Sequence, residues 1–275
     1  MTRQAGDYKQ GSERTRRDPA ARRYRATVEY DGTEFAGFQI QPEARTVQGE
    51  LEAALARLSG GNRQPVMGAG RTDAGVHATG QVIAFTYPGS LPVEALTEAL
   101  NGLLPPDVAI SGLRRAPAGF NPRYAARYRE YRYSIWNGPR SPLRERTALW
   151  VRTELDVAEM ARAATAFEGL HDFTAFGGTD PQPVRDVHHV RVRRSGPLIM
   201  IDIRAESFLR GMVRRMVAAL IAVGRGRIEE HAVAAALAER RPTLGGAAAP
   251  ARGLCLRRVV LGRRPGRTDE GQEDG

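Results

Sequence analysis

The sequence contains a single cysteine, Cys255, so the chain cannot form an internal disulfide or a zinc site built from several cysteines. Lysine is equally scarce, because all but one of the 41 basic residues are arginine. No apolar run is long enough to span a bilayer, and the basic N-terminus is not followed by the apolar core of a signal peptide. We therefore expect a cytoplasmic protein with no membrane association and no disulfide framework.

Positive charge is abundant in the 275-residue chain, which has a formal net charge of +10. Residues 1–23 carry +4 of it and residues 263–275 carry −1, so the part between them carries +7. Both ends are polar and lack periodicity, which predicts disordered tails. A basic body usually serves a polyanionic partner, and arginine binds phosphates and bases well, although an arginine-rich genome explains the choice of arginine equally well.

Hydrophobic periodicity predicts the element order β-α-β-β-α-β twice, in residues 24–125 and again in residues 126–262. The second half adds one helix, and its amphipathic helix is predicted to begin near Leu209. This element order is typical of the split βαβ or ferredoxin-like arrangement. We expect an α+β fold in which two ferredoxin-like halves join edge to edge into one mainly antiparallel sheet, with helices on one face.

A glycine-rich segment, residues 68–80, surrounds Arg71, Asp73 and His77 with four glycines and reads as a loop that presents short polar side chains. It lacks the third glycine of a dinucleotide-binding turn and the lysine of a phosphate-binding loop. From spacing alone, a hairpin turn with a capping aspartate and an Asp–Arg pair is as good an interpretation as a functional site.

Read whole, Gly70-Arg-Thr-Asp-Ala-Gly-Val-His-Ala78 resembles the signature of the tRNA pseudouridine synthase A family. Further blocks that look like family segments occur in family order, among them Tyr30–Gln39, Arg129–Tyr133 and 207–214, so the resemblance covers about residues 24–262. One departure is Asn121, where many relatives carry histidine, and it receives no role.

The resemblance implies an isomerase that converts uridine to pseudouridine at positions 38, 39 and 40 of the tRNA anticodon stem-loop without cofactor or metal. It implies that the nucleophile is Asp73, that Arg71 aids flipping of the target base, and that Tyr131 contacts the uracil. On the predicted amphipathic helix, Arg210 and Arg214 would lie one turn apart, and the family pattern pairs Arg214 with Asp73. His77 is expected to bind RNA or support the site. The family also works as a homodimer in which one tRNA contacts both subunits.

Several alternatives stay open at this level. Pattern alone favours a core tyrosine at position 131. Arg71 could be a simple salt-bridge partner of Asp73, and Arg214 could be a side chain at the rim of the core. The whole chain could instead be a non-catalytic RNA-binding module, or a hydrolase that uses Asp73 with His77. Whether Asp73 attacks C6 or C1', or assists a glycal route, is also undecided.

A metal site is not expected among the histidines. Adjacent residues His188 and His189 on a strand would point to opposite faces, and no carboxylate cluster is spaced around them.

Overall fold

The computed structural model describes residues 21–177, 180–240 and 247–262. The first half follows the predicted order. Its elements are β1 (Arg22–Tyr30), α1 (Val47–Leu58), β2 (Met67–Gly68), β3 (His77–Tyr87), α2 (Val93–Leu103) and β4 (Val108–Arg115). A four-residue helix, α3 (Pro122–Ala125), leads into the second half.

The second half contains the predicted elements and some short additions. Its elements are β5 (Ala126–Trp136), β6 (Leu149–Trp150), α4 (Val157–Ala164), β7 (Gly169–Asp172), α5 (Thr174–Gly177), β8 (Val184–Ser195), β9 (Leu198–Ala205), α6 (Met212–Gly224), α7 (Ala232–Glu239) and β10 (Leu254–Leu261). Asp156 caps α4 by accepting a hydrogen bond from the amide of Glu159, as the sequence predicts. Within the described ranges no helix is both long and apolar enough to cross a membrane.

The strands of the described residues form one ten-stranded sheet with the main order β4-β1-β3-β10-β5-β9-β8-β7. The short β2 pairs with β3, and β6 pairs with β5. The orders β4-β1-β3-β2 and β10-β5-β9-β8 are both the ferredoxin-like order. Most neighbours are antiparallel, but β10 joins β3 in parallel through the Cys255–His77 and Leu256–Ala78 pairs. The predicted fold class is thereby confirmed.

Side chains alternate between a buried and a more open face of the sheet. On β5, Tyr131, Tyr133 and Ile135 are buried, whereas Arg132 and Ser134 between them are partly exposed. The buried face packs with the helices into one continuous core. Side chains on the buried face therefore meet solvent only at a gap in that helical layer or at a loop along its edge.

Three predicted boundaries are wrong. Strand β3 begins at His77, because residues 77 and 78 pair with β10, so the glycine-rich loop is residues 69–76. Helix α6 begins only at Met212. The residue before it, Gly211, has a left-handed φ of 68°, so the right-handed helix cannot extend back through it. Strand β1 includes Arg22 and Arg23, which the sequence predicts to be part of the disordered N-terminal tail. The remainder of the two predicted tails, residues 1–20 and 263–275, lies outside the described residues.

Candidate active site

Hydrogen bonds to the residues just before Asp73 hold the loop at residues 69–76 against its surroundings. Gln81 Nε2 donates to the carbonyl of Gly70 over 2.8 Å, and the hydroxyls of Tyr30 and Thr72 lie 2.8 Å apart. The amide of Phe38 donates to the carbonyl of Thr72 over 3.1 Å. These bonds hold the backbone, so the Asp73 side chain, which is 31 % exposed, is presented from a rigid turn.

Arg214, on α6 of the second half, lies against Asp73. Its Nη1 is 3.8 Å from Asp73 Oδ2, and its Nε donates to the carbonyl of Ala249 over 2.6 Å. Because both members of the pair are partly exposed, the pair adds little to folding stability. Its effect is to place a positive charge beside the carboxylate and to fix the direction in which the guanidinium points.

Tyr131, on β5, forms the apolar wall beside this pair and is 8 % exposed. Its ring meets that of Phe208 edge-on, with centroids 5.2 Å apart. Burial raises the pKa of the Tyr131 phenol, the Arg129 charge opposes this, and the negative charge of Asp73 adds to the rise. Tyr131 is therefore a protonated phenol at neutral pH. Phe208 belongs to the 207–214 block, but nothing in the sequence indicates that this aromatic residue contacts Tyr131.

Arg71 and Arg210 are both exposed near this site. Arg71 lies on the loop two residues before Asp73. Arg210 precedes α6, and its carbonyl accepts a hydrogen bond from Arg215 Nη1 over 2.9 Å. The prediction that Arg210 and Arg214 lie one helical turn apart is therefore wrong, because Gly211 separates Arg210 from the helix.

His77 is buried, with 7 % of its surface exposed, and both ring nitrogens meet other groups of the protein. Nε2 faces the carbonyl oxygens of Arg146 and Arg252 at 2.8 and 3.1 Å, so it carries a proton. Nδ1 is within reach of the Gly32 amide at 3.0 Å and of Asp31 at 3.1 Å. Of the two roles expected for His77, this geometry fits support of the loop and not contact with RNA.

Arg129 is a supporting residue that the sequence interpretation missed. It is 7 % exposed, and its guanidinium donates to the carbonyls of Glu206, Ala69 and Arg123 over 2.6, 2.6 and 3.1 Å. It thus ties the start of the loop to β5 of the second half. The available signal was its place two residues before Tyr131, a charge on the core-facing side of a strand.

Two carboxylates do lie near His188, contrary to the sequence expectation. A β-bulge between Val187 and His189 redirects the chain, and one ligand atom each of Asp186, His188 and Glu206 lie within 4.8 Å of one another. The alternation argument assumed a regular strand and could not anticipate the bulge. The expectation that the chain binds no metal stays a prediction.

A cavity of about 550 Å³ lies on the opposite, open face of the sheet. Alternate residues of neighbouring strands line it, among them Arg132, Met200 and Cys255. Asp73, Tyr131 and Arg214 are not among its lining residues, so this cavity is separate from the loop site.

The site thus consists of a carboxylate on a glycine-rich turn that faces an arginine from the other ferredoxin-like half. The family model described as tRNA pseudouridine synthase matches residues 26–125 and 163–260. The chain belongs to the tRNA pseudouridine synthase family and is an isomerase that acts on uridine in tRNA.

The particular relatives are more specific still, and several carry the name tRNA pseudouridine synthase A. The Moorella thermoacetica protein is 46% identical over 240 residues, which is 85% of this chain and 97% of that one. The Pelobacter propionicus protein is 44% identical over 86% of this chain and 98% of that one, and the Myxococcus xanthus protein is 41% identical over 92% and 98%. Among solved structures, the archaeal box H/ACA sRNP Nop10–Cbf5 complex matches 86% of this chain and 48% of that chain, with 12% identity and a TM-score of 0.33.

Proposed function

We propose that this chain converts uridine to pseudouridine at positions 38, 39 and 40 of the tRNA anticodon stem-loop, with Asp73 as nucleophile. The observation that carries the proposal is the Asp73–Arg214 pair, 3.8 Å apart, beside the buried ring of Tyr131. The similarity to proteins named tRNA pseudouridine synthase A supports the substrate class.

The reaction breaks the C1'–N1 bond of uridine, forms a C1'–C5 bond, removes the proton from C5 and places a proton on N1. Atoms balance without a cofactor or an energy source. A carboxylate suits the chemistry because it can form a covalent adduct and leave again. Asp73 performs this step, and Arg214 holds its carboxylate in place.

Exposure of the target base requires flipping, which costs a few kcal/mol of stacking. Arg71, exposed on the loop, takes the place of the base and pairs with a phosphate. Tyr131 covers one face of the flipped uracil. Because its pKa is raised, it does so as a neutral phenol, and it holds no standing negative charge that could accept the C5 proton.

The hydrolase alternative is disfavoured by His77. A hydrolase would need His77 as a general base, yet the protein itself occupies the reach of both ring nitrogens. A non-catalytic RNA-binding module would tolerate loss of the Asp73 carboxylate, which is a testable difference.

A set of transcripts with one uridine each in the anticodon arm tests the position claim. Transcripts with the uridine at 38, at 39 or at 40 should each gain pseudouridine, and a transcript whose uridines lie only in the T arm should not. The Asp73→Ala variant should modify none of them while binding RNA within about tenfold of wild type. Modification confined to the T arm would contradict the proposed position.

A homodimer in which one tRNA contacts both subunits is also proposed, on the family resemblance. Sedimentation equilibrium at assay concentration should give twice the mass of the 30.1 kDa chain. A monomer that is fully active would contradict it.

Fractionation of cells should find the protein in the cytoplasm.

A further inference from the structure

Tyr124 is an exposed aromatic residue beside the glycine-rich loop, residues 69–76. The proposed mechanism gives it no role. It is 73 % exposed, in a chain of only 7% aromatic residues, and it lies on α3. Arg123 before it and Arg127 after it are exposed as well. The ring of Tyr124 is therefore open to solvent on a segment that also carries two exposed arginines.

The backbone that displays the ring is firmly held. The Asn121 side chain accepts a hydrogen bond from the amide of Arg123 over 3.0 Å and so caps α3. The Arg23 guanidinium donates twice to the carbonyl of Phe120, over 3.2 and 3.1 Å. At the other end, the amide of Gly262 donates to Ala125 over 3.0 Å. The exposure of Tyr124 is therefore a property of a fixed segment and not of a loose one. It also gives Asn121 a structural role as a helix cap.

Tyr124 lies next to the start of the catalytic loop. One nitrogen of Arg129, Nη2, donates both to Ala69, over 2.6 Å, and to Arg123, over 3.1 Å. Ala69 begins the loop and Arg123 precedes Tyr124. The backbone that carries the Tyr124 ring is therefore held by the same guanidinium that holds the start of the loop with Arg71 and Asp73.

We propose that Tyr124 is a stacking surface for an unpaired base of the substrate RNA next to the flipped uridine, with Arg123 and Arg127 contacting the flanking phosphates. The inference rests on the proposed function and extends it. RNA is the partner that combines flat apolar rings with negative charge, and this is what a tyrosine between two arginines complements. Stacking accepts any base, since every base has a π-face. A stacking contact therefore suits an enzyme that modifies three neighbouring positions, where the base beside the target changes each time.

The substitutions Tyr124→Ala, Tyr124→Phe and Tyr124→Leu separate stacking from simple burial. The control is Leu170→Ala, which removes a similarly exposed apolar side chain (71 %) from β7 at the far edge of the sheet. For an anticodon stem-loop RNA we expect Tyr124→Ala to raise KM and Kd about tenfold with kcat within twofold. Tyr124→Phe should match wild type, Tyr124→Leu should behave like the alanine variant, and Leu170→Ala should change nothing.

Salt dependence distinguishes the ring from its neighbours. The slope of log Kd against log salt should be unchanged in Tyr124→Ala and smaller by about one in Arg123→Gln, because only the arginine neutralises a phosphate. A 2-aminopurine base placed beside the target position should be quenched on binding to wild type and not to Tyr124→Ala. This fluorescence measurement needs no turnover, so it tests the stacking surface even if the proposed reaction fails.

Three outcomes would overturn the inference. They are an unchanged Kd and unchanged quenching in Tyr124→Ala, rescue by Tyr124→Leu as complete as by phenylalanine, or a weaker self-association of Tyr124→Ala with unaltered RNA binding. The last would assign the ring to a protein contact.

Discussion

Asp73 and Arg214 come from opposite halves of the chain, so the charge pair exists only where the two halves meet. The pair is partly exposed, and its Coulomb energy is modest in the native state. Under the proposed mechanism its value to the reaction is positional, because a small misplacement of a reacting group costs rate far more than it costs stability.

Replacement of Arg214 by alanine should lower kcat about 100-fold while the Kd for tRNA changes only a few-fold. The reason is that Arg214 orients the carboxylate, whereas most RNA affinity comes from many phosphate contacts. Arg210→Ala is the matched control, since Arg210 is exposed and lies outside α6. It should leave kcat within twofold and raise KM. Single-turnover and binding assays separate the two effects, and equal loss of kcat in both variants would contradict the positional role.

At this scale the sequence predicts the candidate site in part. Asp73 and Arg71 can be chosen because a signature carries them, and Tyr131 and Arg214 because the family resemblance assigns them roles. Arg129 could not be chosen in the same way, because its partners are backbone carbonyls at positions distant in the chain. Backbone partners leave no pattern in side-chain identity.

The position of the glycine-rich loop depends on contacts from strands β1, β3 and β5. Element identity could be predicted well from periodicity, but the two boundaries that flank site residues could not. The pairing of His77 with β10 lengthens β3, and the left-handed Gly211 shortens α6. Both depend on tertiary placement of the chain, which local patterns do not encode.

Gly32→Ala tests how tightly the loop is fitted to its support. A Cβ at Gly32 would lie 2.1 Å from the carbonyl oxygen of Val76, which is backbone and cannot rotate away. We expect a loss of about 1–3 kcal/mol in the free energy of unfolding and a displaced loop with lower kcat. In Gly102→Ala, where nothing lies within 4 Å of the new Cβ in α2, unfolding should instead cost about 0.5–1 kcal/mol more. Urea melts of both variants decide, and an unaffected Gly32→Ala enzyme would show that the loop yields freely.

Arg129→Met should loosen the same loop from its other side. Carbonyls that lose their donor cost about 1–3 kcal/mol each when buried, and Arg129→Lys should recover part of this because an ammonium can reach some of them. Amide hydrogen exchange of residues 69–76 should accelerate in the methionine variant, in parallel with a fall in kcat. Unchanged exchange in this segment would remove Arg129 from the support of the loop.

The whole molecule is one sheet whose middle strand, β10, is the last strand of the described chain. The ferredoxin-like order within each half could be predicted from the repeat of elements, and so could a single, mainly antiparallel sheet. The parallel join of β10 to β3 could not, because it rests on only two residue pairs and no local pattern marks it. That join sets the distance between the loop and α6, and hence the site.

Stability at alkaline pH follows from the buried tyrosines of this sheet. Burial raises the pKa of Tyr30 and of Tyr131 above the ordinary value of 10.0. Above that pH the unfolded phenols ionise while the folded ones keep their protons. The folded state then binds more protons, and the free energy of unfolding falls as pH rises, by about 1.4 kcal/mol per pH unit for each tyrosine. Below pH 10 this contribution is fully present. Urea melts from about pH 8 to 11 should show a shallower decline for Tyr131→Phe than for wild type, and parallel curves would contradict the assignment.

The most direct test of the account is release of tritium from C5 of uridine in tRNA. Wild-type protein should release the label to water as the C1'–C5 bond forms. Asp73→Asn, which keeps the size of the side chain and removes its charge, should release none above background while it still binds the tRNA. Release by Asp73→Asn at the wild-type rate would contradict the role of Asp73, and retention of label by wild type on tRNA with uridine at positions 38 to 40 would contradict the proposed position.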